Sequence, residues 1–143
     1  MKKIPDFIFS IFLLSTLLFA DSTADKIRLQ NQNVIKMAAS EMSGQLPQKV
    51  DDYTQLVKIE AKDQVLAYTF EINTGAKSDE AIIKEDKTRM KNAVISGICN
   101  TSKRFLKSGI DISYIYTAAV SKGVLFQFNV NKNDCDYMDM DLD

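Results

Sequence analysis

Two stretches of the chain show the same succession of hydrophobic patterns, a helical repeat followed by two runs of alternating apolar and polar residues. In the first stretch, apolar residues recur every three or four positions from about Asp25 to Ser43. This spacing predicts an amphipathic helix that ends before Gly44. Alternation follows over residues 54–60 and 65–73, and a period of two is typical of strands with one buried face. This half of the chain is therefore predicted to be a helix and a hairpin.

The second stretch begins at Ser78, whose side chain can cap a helix that carries two acidic residues in its first turn. Weak helix formers at residues 100–102 predict that this helix kinks or restarts before Phe105. Gly109 can supply the left-handed residue that ends it. Two further alternating runs, residues 110–116 and 124–131, predict a second hairpin.

The predicted elements define the fold class. We expect an α+β domain with the order αββαββ, in which four strands form an antiparallel sheet and both helices pack on one face of it. A duplication of one helix-hairpin unit would produce this order, and so would two independent amphipathic hairpins. The pattern favours neither origin.

The N-terminal segment, residues 1–20, has the features of a secretory signal peptide. Lys2 and Lys3 precede an apolar run from Phe7 to Phe19, and Ala20 provides a small residue at a cleavage site. The run is short for a membrane span, which needs about 20 apolar residues. We therefore expect cleavage near Ala20, a periplasmic or secreted protein, and no membrane span in the mature chain. An uncleaved N-terminal anchor is the alternative.

Residues 21–135 are predicted to form a single domain, and residues 136–143 an acidic C-terminal tail. The chain contains two cysteines, and an exported protein favours a structural disulfide between Cys99 and Cys135. Such a bond would tie the end of the second helix to the end of the last strand. A redox pair is the alternative, but the two cysteines form no Cys-x-x-Cys motif.

The composition excludes several kinds of chemistry. The chain has no histidine, which removes Ser-His-Asp and Cys-His catalysis and most zinc sites. Its five glycines form no phosphate-binding loop, and 18 basic against 19 acidic residues argue against binding nucleic acid. The aspartates of the tail could hold calcium weakly, but the EF-hand pattern is missing. We predict no catalytic residues, no metal, no cofactor and no enzymatic activity.

The last third of the chain carries a loose motif: Tyr114-x-Tyr116, a hairpin turn at Gly123 and the closing Cys135. On these residues the chain resembles small exported bacterial proteins of unknown function. The resemblance implies export. It implies no activity and no site residues.

A surface is the remaining candidate for function. The sheet face opposite the helices is predicted to expose a small apolar patch formed by Leu56, Ala67, Ile115 and Leu125. We therefore expect a non-enzymatic binding or accessory protein that acts through this face or a sheet edge, with another exported or envelope protein as partner. The alternative is an inhibitor or immunity factor for an extracytoplasmic hydrolase, with residues 118–123 as the inserted loop.

Overall fold

The computed structural model describes the backbone of residues 9–136 and the side chains of residues 23–136. Its elements are α1 (Phe9–Ser43), β1 (Gln48–Lys49), β2 (Thr54–Lys62), β3 (Val65–Ile72), α2 (Asp79–Thr101), α3 (Lys103–Lys107), β4 (Asp111–Ala118), β5 (Val124–Val130) and α4 (Lys132–Asp136). The start of the predicted signal peptide and the predicted tail after Asp136 lie outside the described residues. Cleavage near Ala20 stays a prediction.

The chain divides into two compact units, the first ending at Gln30 and the second beginning at Asn31. The described part of the first unit is helical, and its side chains from Thr23 onward are exposed, including Ile27. The prediction that a helix begins near Asp25 is wrong, because α1 already spans that residue. Within the described chain, no helix has both the length and the apolarity that a membrane crossing requires.

The second unit contains a five-stranded mixed sheet with the strand order β1-β2-β3-β4-β5. The α+β class is confirmed, but the prediction of four antiparallel strands is wrong. β3 and β4 pair in parallel, with Val65 opposite Asp111. The reason is the helix between the hairpins: α2 carries the chain back to the end of the sheet where β3 began. β4 therefore enters in the same direction as β3. The short strand β1 was not predicted.

Two β-bulges change which residues face the helices. One lies between Leu56 and Lys58 in β2, and the other lies beside Leu125, where the register of β4 and β5 shifts. A bulge adds a residue to one strand and so interrupts its alternation. Leu56 pairs with Phe70 and joins the core, and Leu125 is also a core residue, 5% exposed.

The core lies between the sheet and the helices. α1 contributes Ile35 and Ala39, and α2 contributes Val94 and Ile98. They pack on the strand residues Leu66, Phe70, Ile112, Tyr116, Phe126, Phe128 and Val130, which share one face of the sheet by register. We call this the covered face. The opposite side, which we call the outer face, carries Ala67, Thr69, Ser113, Ile115, Gln127 and Asn129. Ala67 and Ser113 are buried on this face, but none of the six belongs to the hydrophobic cluster beneath the helices.

The second helical region follows its sequence signals closely. The Ser78 hydroxyl accepts a hydrogen bond from the Ala81 backbone N–H at 3.3 Å, and the helix breaks at Ser102 before it restarts. Gly109 has a φ of +88°, as its predicted left-handed role requires. The predicted disulfide between Cys99 and Cys135 is present and fastens α4 to α2. The bond closes a loop with a separation of 36 residues. A closure of this size stabilises a fold by about 4 kcal/mol in the chain-entropy description.

Candidate binding groove

A groove runs along one side of α2 over the covered face of the sheet. It consists of two adjoining cavities of about 700 and 300 Å³ that share Met90, Tyr114 and Tyr116. The residues of α2 that line it recur every three or four positions and therefore lie on one side of the helix. They are Ile82, Asp86, Arg89, Met90, Ala93, Val94, Gly97 and Thr101. We call this feature the tyrosine groove.

Aromatic rings from neighbouring strands form the floor of the groove. The rings of Phe70 and Tyr116 stack with their centroids 4.9 Å apart, and Tyr114 lies 4.9 Å from Phe70 in a tilted arrangement. Tyr68 extends the cluster, 5.2 Å from Tyr114. These residues meet because β3 and β4 are parallel neighbours in register, so their alternate side chains stand side by side. Tyr68 and Tyr114 are only half-buried although they lie on the covered face.

The tyrosine hydroxyls give this apolar floor a polar component. Burial raises the pKa of Tyr68 and of Tyr116 to about 12, with a smaller contribution from Tyr114, and burial also raises the pKa of Tyr114. All three side chains are therefore neutral at physiological pH and can donate a hydrogen bond. Within the described residues, no hydrogen bond engages their hydroxyl groups. Tyr116 is 8% exposed, yet its hydroxyl oxygen is not sealed from solvent.

Where α2 lines the part of the groove next to Tyr114 and Tyr116, its side chains are small and fill little of the space. Ala93, Gly97 and Thr101 follow one another at intervals of four residues, and all three are exposed. A Cβ atom added at Gly97 would meet nothing within 4 Å. The space above Gly97 is therefore open, and another backbone could approach α2 closely at this point.

The wide end of the groove has a polar rim. Arg89 and Asp86 form an ion pair at 2.7 Å on α2, and Asp51 and Thr54 line the same cavity. The Asp51 carboxylate accepts a hydrogen bond from the Tyr53 backbone N–H at 2.8 Å, which lowers the pKa of Asp51.

The comparisons with known proteins place the chain in a family. The profile of the domain of unknown function DUF8479 matches residues 29–126, which is more than half of the chain. The chain belongs to the DUF8479 family. A comparison with curated protein sequences finds no match.

Solved structures share the fold at low sequence identity. A candidate secreted protein from Pseudomonas aeruginosa has a TM-score of 0.67 at 12% identity, covering 76% of this chain and 96% of its own. The pilotin EpsS of the Vibrio vulnificus type 2 secretion system has a TM-score of 0.62 at 15% identity, covering 78% and 96%. The type II secretion system pilotin AspS from Vibrio cholerae has a TM-score of 0.59 at 17% identity, covering 78% and 98%. At these identities the likeness establishes a common fold.

The residues predicted to form an apolar interface do not form one patch in this DUF8479 member. Leu56 and Leu125 lie in the core, so the expectation that they are surface residues is wrong, and the two bulges are the reason. Ala67 and Ile115 do share the outer face on neighbouring strands, where Ala67 is 3% exposed and Ile115 is half-buried. Partner binding by the outer face stays a prediction.

The sequence reasoning missed the tyrosine groove. Its clearest signal was the Tyr114-x-Tyr116 pair, since two tyrosines on the apolar side of a strand are poorly suited to a fully sealed core. The second signal was the spacing of Ala93, Gly97 and Thr101, which puts three small residues on one side of a helix. The groove could not be derived from either signal alone, because it depends on which strands lie beneath α2.

Proposed function

We propose that this protein is an exported, non-enzymatic accessory protein that binds a segment of a partner polypeptide in the tyrosine groove. The observation that carries the proposal is the aromatic floor of Phe70, Tyr114 and Tyr116, with Tyr114 only half-buried, beneath a helix wall of small residues. Two of the proteins that share the fold are pilotins of type II secretion systems, which supports an accessory role in an envelope assembly. The partner would be another exported or envelope protein.

The shape of the groove favours a polypeptide over a small molecule. Its α2 wall extends from Ile82 to Thr101, which corresponds to about 28 Å at the rise of an α-helix. A groove of that length with evenly spaced apolar positions suits a helical or extended segment with several anchoring side chains. The hydroxyls of Tyr114 and Tyr116 can bond a polar group of that segment, and Met90 can adjust to the shape of its side chains.

Export is supported by three independent observations. The chain begins with basic residues and an apolar run, Cys99 and Cys135 form a disulfide, and one protein of the same fold is described as secreted. Fractionation of cells that produce the full chain, with intact mass measurement, tests this part. A mature N-terminus at Asp21 in the periplasm or medium supports it, and an intact chain in the cytosol contradicts it.

Site-specific photo-crosslinking tests the groove. A photoreactive residue at Ala93 or Thr101 projects into the groove, whereas one at Thr69 or Lys58 lies on the outer face as a matched control. We expect the two groove positions to give a common adduct with one envelope polypeptide, identified by mass spectrometry, and the control positions to give none. Equal adducts from both faces, or none from the groove, would contradict the proposal.

Substitutions at Gly97 separate binding from folding. Gly97→Met places a long side chain into the open space, so the adduct from Ala93 should fall at least tenfold while the unfolding midpoint does not decrease, since methionine is a better helix former than glycine. Gly97→Ala is the matched control and should keep most of the adduct, because one methyl group occupies little of the groove. An undiminished adduct in the methionine variant would show that the partner does not enter the groove.

The inhibitor hypothesis retains one supporting observation. In the β4–β5 hairpin, Val120 is 88% exposed at the tip of a well-anchored loop. The Ser121 hydroxyl donates to an Asp79 carboxylate oxygen at 2.7 Å, and Lys122 pairs with Glu71 at 2.6 Å. A rigid loop with an apolar tip could enter the site of an extracytoplasmic hydrolase. Val120→Asp would abolish inhibition of such a hydrolase, whereas Gly97→Met would leave it intact.

A further inference from the structure

The two edges of the sheet differ in their protection against pairing with another strand. β1 forms one edge; it is two residues long, follows Pro47 and includes Lys49. A short strand, a nearby proline and a lysine are devices by which proteins prevent edge-to-edge pairing. β5 forms the other edge, spans Val124–Val130, and contains neither a charged residue nor a proline.

The backbone of β5 offers groups for a further strand. In an antiparallel pair only alternate residues exchange hydrogen bonds with the neighbour, so the remaining N–H and C=O groups of β5 point away from β4. Among the described residues, no hydrogen bond joins these outward groups to another part of the chain. The bulge lies beside Leu125 at the hairpin end, and the register with β4 is regular from Phe126 to Val130. Most of the strand can therefore accept a partner.

We propose that β5 pairs with β5 of a second copy of this chain, in an antiparallel arrangement centred on Gln127, to form a two-fold symmetric dimer. The centre of the strand, Phe126-Gln127-Phe128, is complementary to itself in this register, because Phe126 lies opposite Phe128 of the second copy and Gln127 opposite Gln127. Over these three residues like faces of the two sheets meet, and no charged residue of either strand opposes another, as an isologous interface between two identical edges requires.

A cysteine at the centre of the register tests the arrangement. In an antiparallel pair, directly opposite residues have Cβ atoms about 5 Å apart, close to the separation that a disulfide spans. Gln127→Cys should therefore form a covalent dimer under mild oxidation. Cys99 and Cys135 are already bonded to each other, so they do not compete with the new cysteine for a disulfide partner. Asn129→Cys is the matched control, since it would face Leu125 and lie far from its own copy. Equal crosslinking of the two variants, or none with Gln127→Cys, would overturn the register.

The dimer itself is tested by sedimentation equilibrium of the mature chain over a range of concentrations. We expect a reversible change from one to two chains, and Gln127→Lys should raise the dissociation constant about tenfold or more, because it sets two like charges opposite each other. Thr69→Lys, on the same outer face but in an inner strand, should leave it unchanged. A wild-type protein that stays monomeric up to millimolar concentration would overturn the proposal.

Discussion

Tyr68 and Tyr114 occupy paired positions on the parallel strands β3 and β4, and their ring centroids lie 5.2 Å apart. Two phenol groups held so close in a half-buried site disfavour the charged phenolate form of either one. Desolvation is the larger cause of the raised pKa of Tyr68, and the neighbouring Tyr114 adds to it. This pair makes the stability of the fold sensitive to alkaline pH.

We predict that the free energy of unfolding decreases as pH rises from about 10 to about 12. In the unfolded chain a tyrosine loses its proton near pH 10, whereas in the fold Tyr68 and Tyr116 keep theirs up to about pH 12. The native state therefore binds more protons across this window, and stability falls with increasing pH. Urea unfolding at a series of pH values measures the decrease. Tyr116→Phe should show a shallower decrease than the wild type, and an unchanged slope would argue against the assignment.

Removing the disulfide should cost a large share of the stability. Cys99→Ala combined with Cys135→Ala should lower the free energy of unfolding by about 4 kcal/mol, because the unfolded chain regains the entropy of an open loop. Urea unfolding of the mature protein measures this loss. A reducing agent should lower the midpoint of the wild type and leave that of the double variant unchanged. If the wild type does not respond, the bond contributes little to folding.

The two bulge leucines should behave as core residues. Leu56→Ala and Leu125→Ala should each destabilise the fold by about 2–5 kcal/mol, since each leaves a cavity beneath the helices. Ile115→Ala on the outer face is the comparison, and its cost should be clearly smaller because Ile115 is only half-buried. Chemical unfolding of the three variants decides the matter. Similar losses in all three would mean that the outer face is as well packed as the core.

Gly97→Ala should stabilise the isolated protein by about 0.5–1 kcal/mol. Glycine is a poor residue inside a helix, and the added methyl group meets no neighbour within 4 Å. Thermal unfolding measures the gain. A loss of stability would indicate that the space above Gly97 is filled in solution.

Asp111→Asn should stabilise the protein at neutral pH. Burial, and to a smaller extent the charge of Asp134, raise the pKa of Asp111 in the fold, so its charged form is disfavoured there. Near this pKa the native state binds more protons than the unfolded state. The contribution of Asp111 to the free energy of unfolding therefore decreases as pH rises. The advantage of the asparagine variant should therefore shrink as pH falls through the titration range of the carboxyl group. Urea midpoints at acidic and neutral pH, compared with those of the wild type, test this prediction.

Local signals in the sequence predicted local structure well. The Ser78 cap, the helix break at Ser102, the Gly109 stop and the Cys99–Cys135 bond each depend on a few neighbouring residues or on simple chemistry, and the structure contains all four. The alternating runs identified four of the five strands. Such features are encoded within single segments, where propensity and periodicity apply directly.

Features that depend on several segments were not predicted. The parallel pairing of β3 and β4 depends on the path of α2, and the inward positions of Leu56 and Leu125 depend on bulges opposite particular partner residues. A β-bulge adds one residue to a strand, so an assignment based on alternation alone places the residues beyond the bulge on the wrong face of the sheet. The tyrosine groove depends on the parallel pairing, because it needs Phe70, Tyr114 and Tyr116 on adjacent strands beneath one helix.

Because β3 and β4 pair in parallel at the middle of the sheet, the two halves of the chain depend on each other for folding. A fragment that stops before Asp111 would expose the full length of β3, and a fragment that starts after it would expose β4. Neither hairpin is thus a separable module. The middle of the sheet can therefore close only after the chain has been synthesised as far as Ala118, the last residue of β4.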